Sequence, residues 1–145
     1  MSCCNQKEVV TSDKAPKAIG PYSAAIKAGH FVFTSGQLGF DPVTGNMVEG
    51  GIEAETRQAL TNLSSILQAA GSSLANVVKT TVFLRDINDF ARMNGIYGEF
   101  FTETPPARSA FQVAALPRGA AVEIEAVALL PENADCCCSD IESMP

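Results

Sequence analysis

One long amphipathic stripe limits the folds open to this chain. From residue 52 to residue 70, apolar side chains recur at intervals of three and four residues, and Gly71 follows directly. This spacing places the apolar side chains on one face of an α-helix, and glycine is common just after a helix end. The segment therefore predicts a helix of about five turns, whose apolar face needs a second layer to cover it.

Strand-like segments precede this helix. Apolar residues at 20–28 and 31–35 surround Gly29-His30, and a two-residue connection that begins with glycine predicts a hairpin. Residues 36–46 are rich in glycine, proline and asparagine, which favour turns. They predict a loop between the hairpin and the helix.

A strand, a second helix and two more strands are predicted after the first helix. A run of β-branched residues at 77–84 predicts a strand, and Asp89 is a suitable N-cap for a second helix over 90–101. Two last strands are expected at about 107–116 and 122–130, separated by a turn that contains proline and glycine. The order ββαβαββ predicts an α+β fold in which both helices pack on one face of a mixed sheet.

The two ends of the chain lack this patterning. Residues 1–13 and 132–145 are polar and without periodicity, so they predict flexible tails around a single domain at 14–131. All five cysteines lie in these tails, and their spacing does not suit a zinc site. We expect free thiols in a reducing compartment. The five are Cys3, Cys4, Cys136, Cys137 and Cys138.

Composition narrows the range of partners. A net charge of -6 at pH 7 disfavours non-specific attraction to nucleic acid phosphates. The sequence has no apolar run long enough to span a bilayer, and its first residues lack the features of a signal peptide. These features predict a cytoplasmic protein that does not bind membranes.

Familiar catalytic motifs are missing. The one histidine, His30, falls in the predicted hairpin turn, where a solvated side chain is a better interpretation than a member of a Ser-His or Cys-His arrangement. The glycines at 36 and 39 lack the lysine and spacing of a phosphate-binding loop. Nucleotide binding therefore has no support in the sequence.

Polar residues inside apolar strands are the candidates for chemistry. Arg108 needs an anion to offset the loss of hydration in a sheet, and Glu123 and Glu125 share one face of the last strand. From pattern alone, a solvated sheet face with Arg108 as salt-bridge partner is favoured. If the last two strands form a simple hairpin, Glu123 lies opposite Ala114, roughly 20 Å from Arg108. A site that uses both residues then requires a different strand pairing or a boundary between subunits.

Six segments spread along the predicted domain resemble the reactive-intermediate deaminase A (Rid) family. The resemblance implies a chorismate-mutase-like α+β fold and a homotrimer with clefts between subunits. It also implies that the protein hydrolyses 2-imino and 2-enamino acids to 2-oxo acids and ammonia, without a cofactor or metal. Pyridoxal-phosphate-dependent dehydratases would release these acids, and their removal would be a form of metabolite damage control. The segments are Ala18-Ile19-Gly20-Pro21-Tyr22-Ser23, Phe33-Thr34-Ser35-Gly36-Gln37, Val78-Lys79-Thr80-Thr81-Val82-Phe83-Leu84, Asn88-Asp89-Phe90, Pro106-Ala107-Arg108-Ser109 and Val122-Glu123-Ile124-Glu125-Ala126.

The resemblance also assigns roles to residues. Arg108 corresponds to the arginine that holds the substrate carboxylate, and Glu123 to the acid that orients or activates the hydrolytic water. The backbone around Ala110 adds a polar contact to that water. Many members have cysteine at this position, so its absence here makes a thiol-based mechanism untenable. Residues that correspond to the pocket lining are Tyr22, Ser35, Gly36, Phe90 and Asn94.

Other functions remain open at this point. A trimer that binds small carboxylates as a regulator needs Arg108 alone, although retention of Glu123 beside it favours hydrolysis. Ribonuclease or translation-inhibitor activity has been ascribed to some relatives, but the acidic balance argues against it. Nothing in the sequence tests a holdase-like chaperone function.

Overall fold

Residues 6–131 are described by the computed structural model, and they form one six-stranded mixed sheet with two helices. The α+β class and both helices agree with the prediction. The elements are β1 (Glu8–Val10), β2 (Ala25–Ala28), β3 (Phe31–Thr34), α1 (Gly51–Ala69), β4 (Val77–Leu84), α2 (Phe90–Phe100), β5 (Ala107–Gln112) and β6 (Val122–Leu129). Within these residues, neither α-helix is long and apolar enough to cross a membrane.

Strand β1 was not predicted, because it lies within the segment 1–13 that was expected to be a flexible tail. Val9 pairs with Ile26 of β2, and the Val10 side chain is buried. Three residues are too few to show a period-two pattern. The observed order is therefore βββαβαββ. The predicted thiol-rich tail at 132–145 and all five cysteines lie outside the described residues.

The sheet order is β1-β2-β3-β6-β4-β5, and β4 and β5 are its parallel pair. Parallel neighbours need a crossover connection, which α2 supplies between β4 and β5. Strand β6 then pairs antiparallel with the other side of β4. The simple hairpin of the last two strands is therefore wrong: Glu123 lies opposite Phe83 of β4, not opposite Ala114.

The two faces of the sheet differ. The helices cover one face, and the alternating burial of β6 puts Val122, Ile124 and Ala126 in this core. Glu123 and Glu125 share the other face of the strand, as predicted. No described element covers the apolar part of the other face. Its exposed large apolar side chains include Phe31, Phe33, Phe111 and Leu129.

Candidate functional site

Arg108 lies on the helix-covered face of the sheet. It pairs with Thr80 of β4, and paired neighbours in a sheet share a face. Its Nη1 donates a hydrogen bond of 2.7 Å to Asn94 Oδ1, and its guanidinium lies 4.7 Å from the ring centre of Tyr97 and 5.4 Å from that of Phe90. It makes no ion pair with any carboxylate of residues 6–131. The result is a half-buried cation with neutral partners, which favours binding of an external anion.

Helix α2 presents these partners because Phe90, Asn94 and Tyr97 are four and three residues apart, on one helical face. The hydroxyl of Tyr97 is hydrogen-bonded to Thr80 Oγ1 at 2.7 Å in the protein interior. Burial raises the pKa of Tyr97, although Thr80 and Arg108 partly offset this, so the hydroxyl stays protonated at neutral pH. In the sequence, Tyr97 is one of several apolar residues at helical spacing in the second helix, and nothing there distinguishes it from the others.

A shallow concavity of about 430 Å³ surrounds the Arg108 side chain. Its walls come from the second half of α2 and from the proline pair before β5. The cavity can therefore accept a small anion that also has an apolar part. The lining residues are Asn94, Tyr97, Gly98, Phe101, Pro105, Pro106 and Arg108.

Glu123 lies on the opposite face, beside a larger cleft of about 950 Å³. Burial raises the pKa of Glu123, and the nearby charge of Glu125 raises it further. Gly36 packs directly against this carboxylate, since a Cβ built on Gly36 would lie only 2.7 Å from Glu123 Cδ. The site thus holds a carboxyl group that takes up a proton more readily than an ordinary glutamate does.

Loops from three parts of the chain form the walls of this cleft. Tyr22 and Ser35 lie on one side, where Ser35 Oγ donates a hydrogen bond of 2.6 Å to Ser23 O. On the other side, the guanidinium of Arg118 lies 5.2 Å from the ring centre of Phe40. Arg118 has a positive φ of 54° inside its turn, a conformation that the sequence pattern does not reveal.

The eight predicted site residues therefore fall into two groups in one chain. Tyr22, Ser35, Gly36 and Glu123 line the larger cleft. Arg108, Asn94 and Phe90 meet on the other face. The alternative in which Arg108 is the salt-bridge partner of Glu123 or Glu125 on one sheet face is wrong for a single chain.

Ala110 belongs with Arg108, because its partner on β4 is the buried Val82. Strand β5 is the edge of the sheet. Val113 N donates to Leu84 O of β4, and backbone groups alternate in direction along a strand. The N–H and C=O groups of Ala110 and Arg108 therefore point away from β4, toward the open edge.

Residues 12–130 match the family described as Endoribonuclease L-PSP. A human protein named 2-iminobutanoate/2-iminopropanoate deaminase is 53% identical over 123 residues, which cover 85% of this chain and 90% of the relative. The structure of RidA from the Antarctic bacterium Psychrobacter sp. has a TM-score of 0.82 and 47% identity, covering 85% of this chain and 99% of that chain. Escherichia coli TdcF, solved with bound serine, has a TM-score of 0.81 and 42% identity over 84% of this chain and 98% of that chain.

Proposed function

The chain belongs to the endoribonuclease L-PSP family, also called the Rid family, and we propose that it hydrolyses 2-imino and 2-enamino acids to 2-oxo acids and ammonia. The relatives named as 2-iminobutanoate/2-iminopropanoate deaminases indicate small substrates, which pyridoxal-phosphate-dependent dehydratases in the cytoplasm would supply. TdcF holds serine, so in that protein the fold accommodates a small amino acid.

The observation that carries this proposal is the half-buried Arg108 guanidinium without an acidic partner in residues 6–131. Its planar fork suits the two oxygens of a carboxylate, with which it forms charge-assisted hydrogen bonds. Asn94 and the aromatic rings hold the cation without neutralising it. A substrate carboxylate bound here would fix the orientation of the neighbouring C=N bond.

Glu123 supplies the second part of the chemistry. As a carboxylate it accepts a proton from water while the water oxygen bonds to the imine carbon, and the imine nitrogen takes up a proton from solvent. In the resulting carbinolamine the nitrogen takes up the proton that the hydroxyl group gives up, the C–N bond breaks and the C=O bond forms, which releases ammonia. The sum is one imine and one water converted to one 2-oxo acid and one ammonia. A 2-enamino acid enters after protonation of its β-carbon gives the imine.

A homotrimer would unite the two groups of residues. Among residues 6–131, the exposed phenylalanines of the sheet offer apolar area, and the outer edge of β5, where no described strand pairs, offers backbone groups to another copy. Arg108, Phe90, Asn94 and the backbone of Ala110 would come from one subunit. The next subunit would supply the wall containing Glu123, Tyr22, Ser35 and Gly36. Water would then be held between the carboxylate and the bound imine.

The test is the lifetime of an imine in the presence of the purified protein. A threonine dehydratase generates 2-iminobutanoate in a buffer free of competing amines, and its disappearance is followed with and without the protein. We expect the wild type to shorten this lifetime. Arg108→Ala is expected to lose activity by about 100-fold in kcat/KM, because charge-assisted hydrogen bonds to the carboxylate are lost.

Arg108→Lys is the matched control, since it keeps the charge but not the fork, and we expect an intermediate activity. Equal imine lifetimes with wild type and Arg108→Ala would contradict the proposal. A wild type that binds 2-oxobutanoate in an Arg108-dependent way without shortening the imine lifetime would indicate a carboxylate-binding regulator instead.

A further inference from the structure

We propose that Tyr97 and Thr80 form a positioning pair that fixes the Arg108 guanidinium in the orientation needed to bind a carboxylate. The inference deepens the proposed function, because it concerns the group that would hold the substrate. Neither residue is among the predicted site residues. Both act through Arg108, so they are positioning residues and not catalytic ones.

Two contacts and one strand pairing connect the three residues. The Tyr97 hydroxyl is 2.7 Å from Thr80 Oγ1. Thr80 and Arg108 are paired in the parallel β4 and β5 ladder. The Arg108 guanidinium lies 4.7 Å from the centre of the Tyr97 ring. The ring of Tyr97 is thus fixed relative to the same strand pair that carries Arg108.

Such a support is needed because arginine has many rotamers, and ordering a long side chain lowers its conformational entropy. An acidic partner could order Arg108, but it would compete with the substrate carboxylate. The Tyr97 ring attracts the cation through its face and leaves the N–H groups at the guanidinium edge available. Asn94 takes one of these groups at Nη1. The ring therefore orients the cation while the cation still attracts an anion.

The alternative is that Tyr97 only fills the core between α2 and the sheet. Its ring also packs against Phe101, with 4.6 Å between the ring centres. A purely structural role predicts that Tyr97 variants lose stability but that the folded protein still binds carboxylates normally. The two roles therefore differ in ligand affinity, which can be measured without turnover.

The experiment measures the Kd of 2-oxobutanoate by calorimetry, and the KM and kcat for the imine, on the assembled protein. Tyr97→Leu removes the ring, and Tyr97→Phe keeps the ring but removes the hydroxyl. Thr80→Val removes the other half of the hydrogen bond with little change in shape. Met93→Ala is the matched control, because Met93 is buried on the same helix and is not among the contacts of Arg108.

We expect Tyr97→Leu to raise Kd and KM by about tenfold, with a smaller change in kcat. Tyr97→Phe and Thr80→Val should raise Kd by about two- to fivefold, since the ring stays but is less firmly held. Met93→Ala should lower the melting temperature and leave Kd unchanged. If Tyr97→Leu does not fold, the two milder variants decide the question.

A Kd that is unchanged in Tyr97→Phe and Thr80→Val, or raised equally by Met93→Ala, would overturn the inference. The readouts also separate it from the proposed function. If 2-oxobutanoate binds with the expected dependence on Tyr97 but the imine lifetime is unaffected, the positioning pair stands and the deaminase proposal fails. If the imine is hydrolysed and the Kd of 2-oxobutanoate is insensitive to Tyr97, the deaminase proposal stands and the positioning pair fails.

Discussion

Arg108 and Glu123 project from opposite faces of one sheet. Arg108 is paired with Thr80 and contacts α2, whereas Glu123 is paired with Phe83 on the uncovered side. Strand β4 lies between the two strands that carry them. One chain therefore cannot bring both side chains to the same small substrate, and any chemistry that uses both needs two chains.

This separation predicts complementation between two inactive variants. Arg108→Ala retains Glu123, and Glu123→Gln retains Arg108. In a cyclic trimer formed at random from equal amounts of both chains, about one site in four combines the two intact residues. We expect each variant alone to be nearly inactive and the co-refolded mixture to regain roughly a quarter of wild-type activity. A mixture no more active than its separate components would argue against a shared site.

The raised pKa of Glu123 predicts how activity depends on pH. Burial and the charge of Glu125 both disfavour the carboxylate of Glu123, which is the form that would accept a proton from water in the proposed reaction. As pH falls, Glu123 should become protonated at a higher pH than a glutamate with an ordinary pKa. The drop in kcat/KM should therefore also begin at a higher pH. Glu125→Gln should move this acid limb to lower pH, and the exposed control Glu49→Gln should leave it in place. If the acid limb were unchanged in Glu125→Gln, it could not be assigned to the pKa of Glu123. Protonation of the imine itself is common to all variants, so it would produce the same limb in each of them.

Gly36→Ala should disturb the Glu123 carboxylate. The new methyl group would overlap with it, so the glutamate must move to another position. We expect kcat/KM to fall by about 100-fold, the scale on which a displacement of about 1 Å affects a reacting group. Gly95→Ala is the control, because its Cβ meets nothing within 4 Å; it should retain activity and add roughly 0.5–1 kcal/mol of stability. Full activity in Gly36→Ala would mean that the carboxylate position does not matter.

Asn62 connects α1 with the loop that forms one wall of the larger cleft. Its buried amide donates to Leu38 O at 3.1 Å and to Phe40 O at 2.9 Å. Asn62→Ala leaves both carbonyl groups without this partner, so we expect the free energy of unfolding to fall by about 3 kcal/mol. Chemical denaturation measures this change. Gln68→Ala, at an exposed position of the same helix, should stay within about 0.5 kcal/mol of the wild type.

Most helices and strands were predicted from the sequence because each of them depends on the pattern of residues that are close together in the chain. The helical spacing at 52–70 is close to the observed Gly51–Ala69, and the β-branched run coincides with Val77–Leu84. Strand β5 was expected to reach residue 116 but ends at Gln112. Its neighbour β4 ends at Leu84, whose carbonyl accepts a hydrogen bond from Val113 N, and the next residues have no strand to pair with.

These local patterns did not predict which strands pair with one another in the sheet. Adjacent strands in the sequence suggested a hairpin, yet β4 lies between β5 and β6. The alternation that separates Glu123 from Ile124 was predicted, because it depends on one strand alone. That Arg108 faces the other side from Glu123 depends on how three strands are joined. Tyr97 was not distinguished from a core residue, since its contact with Arg108 also arises from this pairing.

The sheet face that the helices leave uncovered, with exposed Phe31, Phe33 and Phe111, has a consequence for the protein at low concentration. This apolar surface is exposed in a single chain, and if copies of the chain cover it for one another, their encounters become rarer as concentration falls. If such assembly also completes the proposed site, dilution alone should lower the proposed activity. The quantity of protein in a cell would then act as a threshold, below which reactive imines go unchecked.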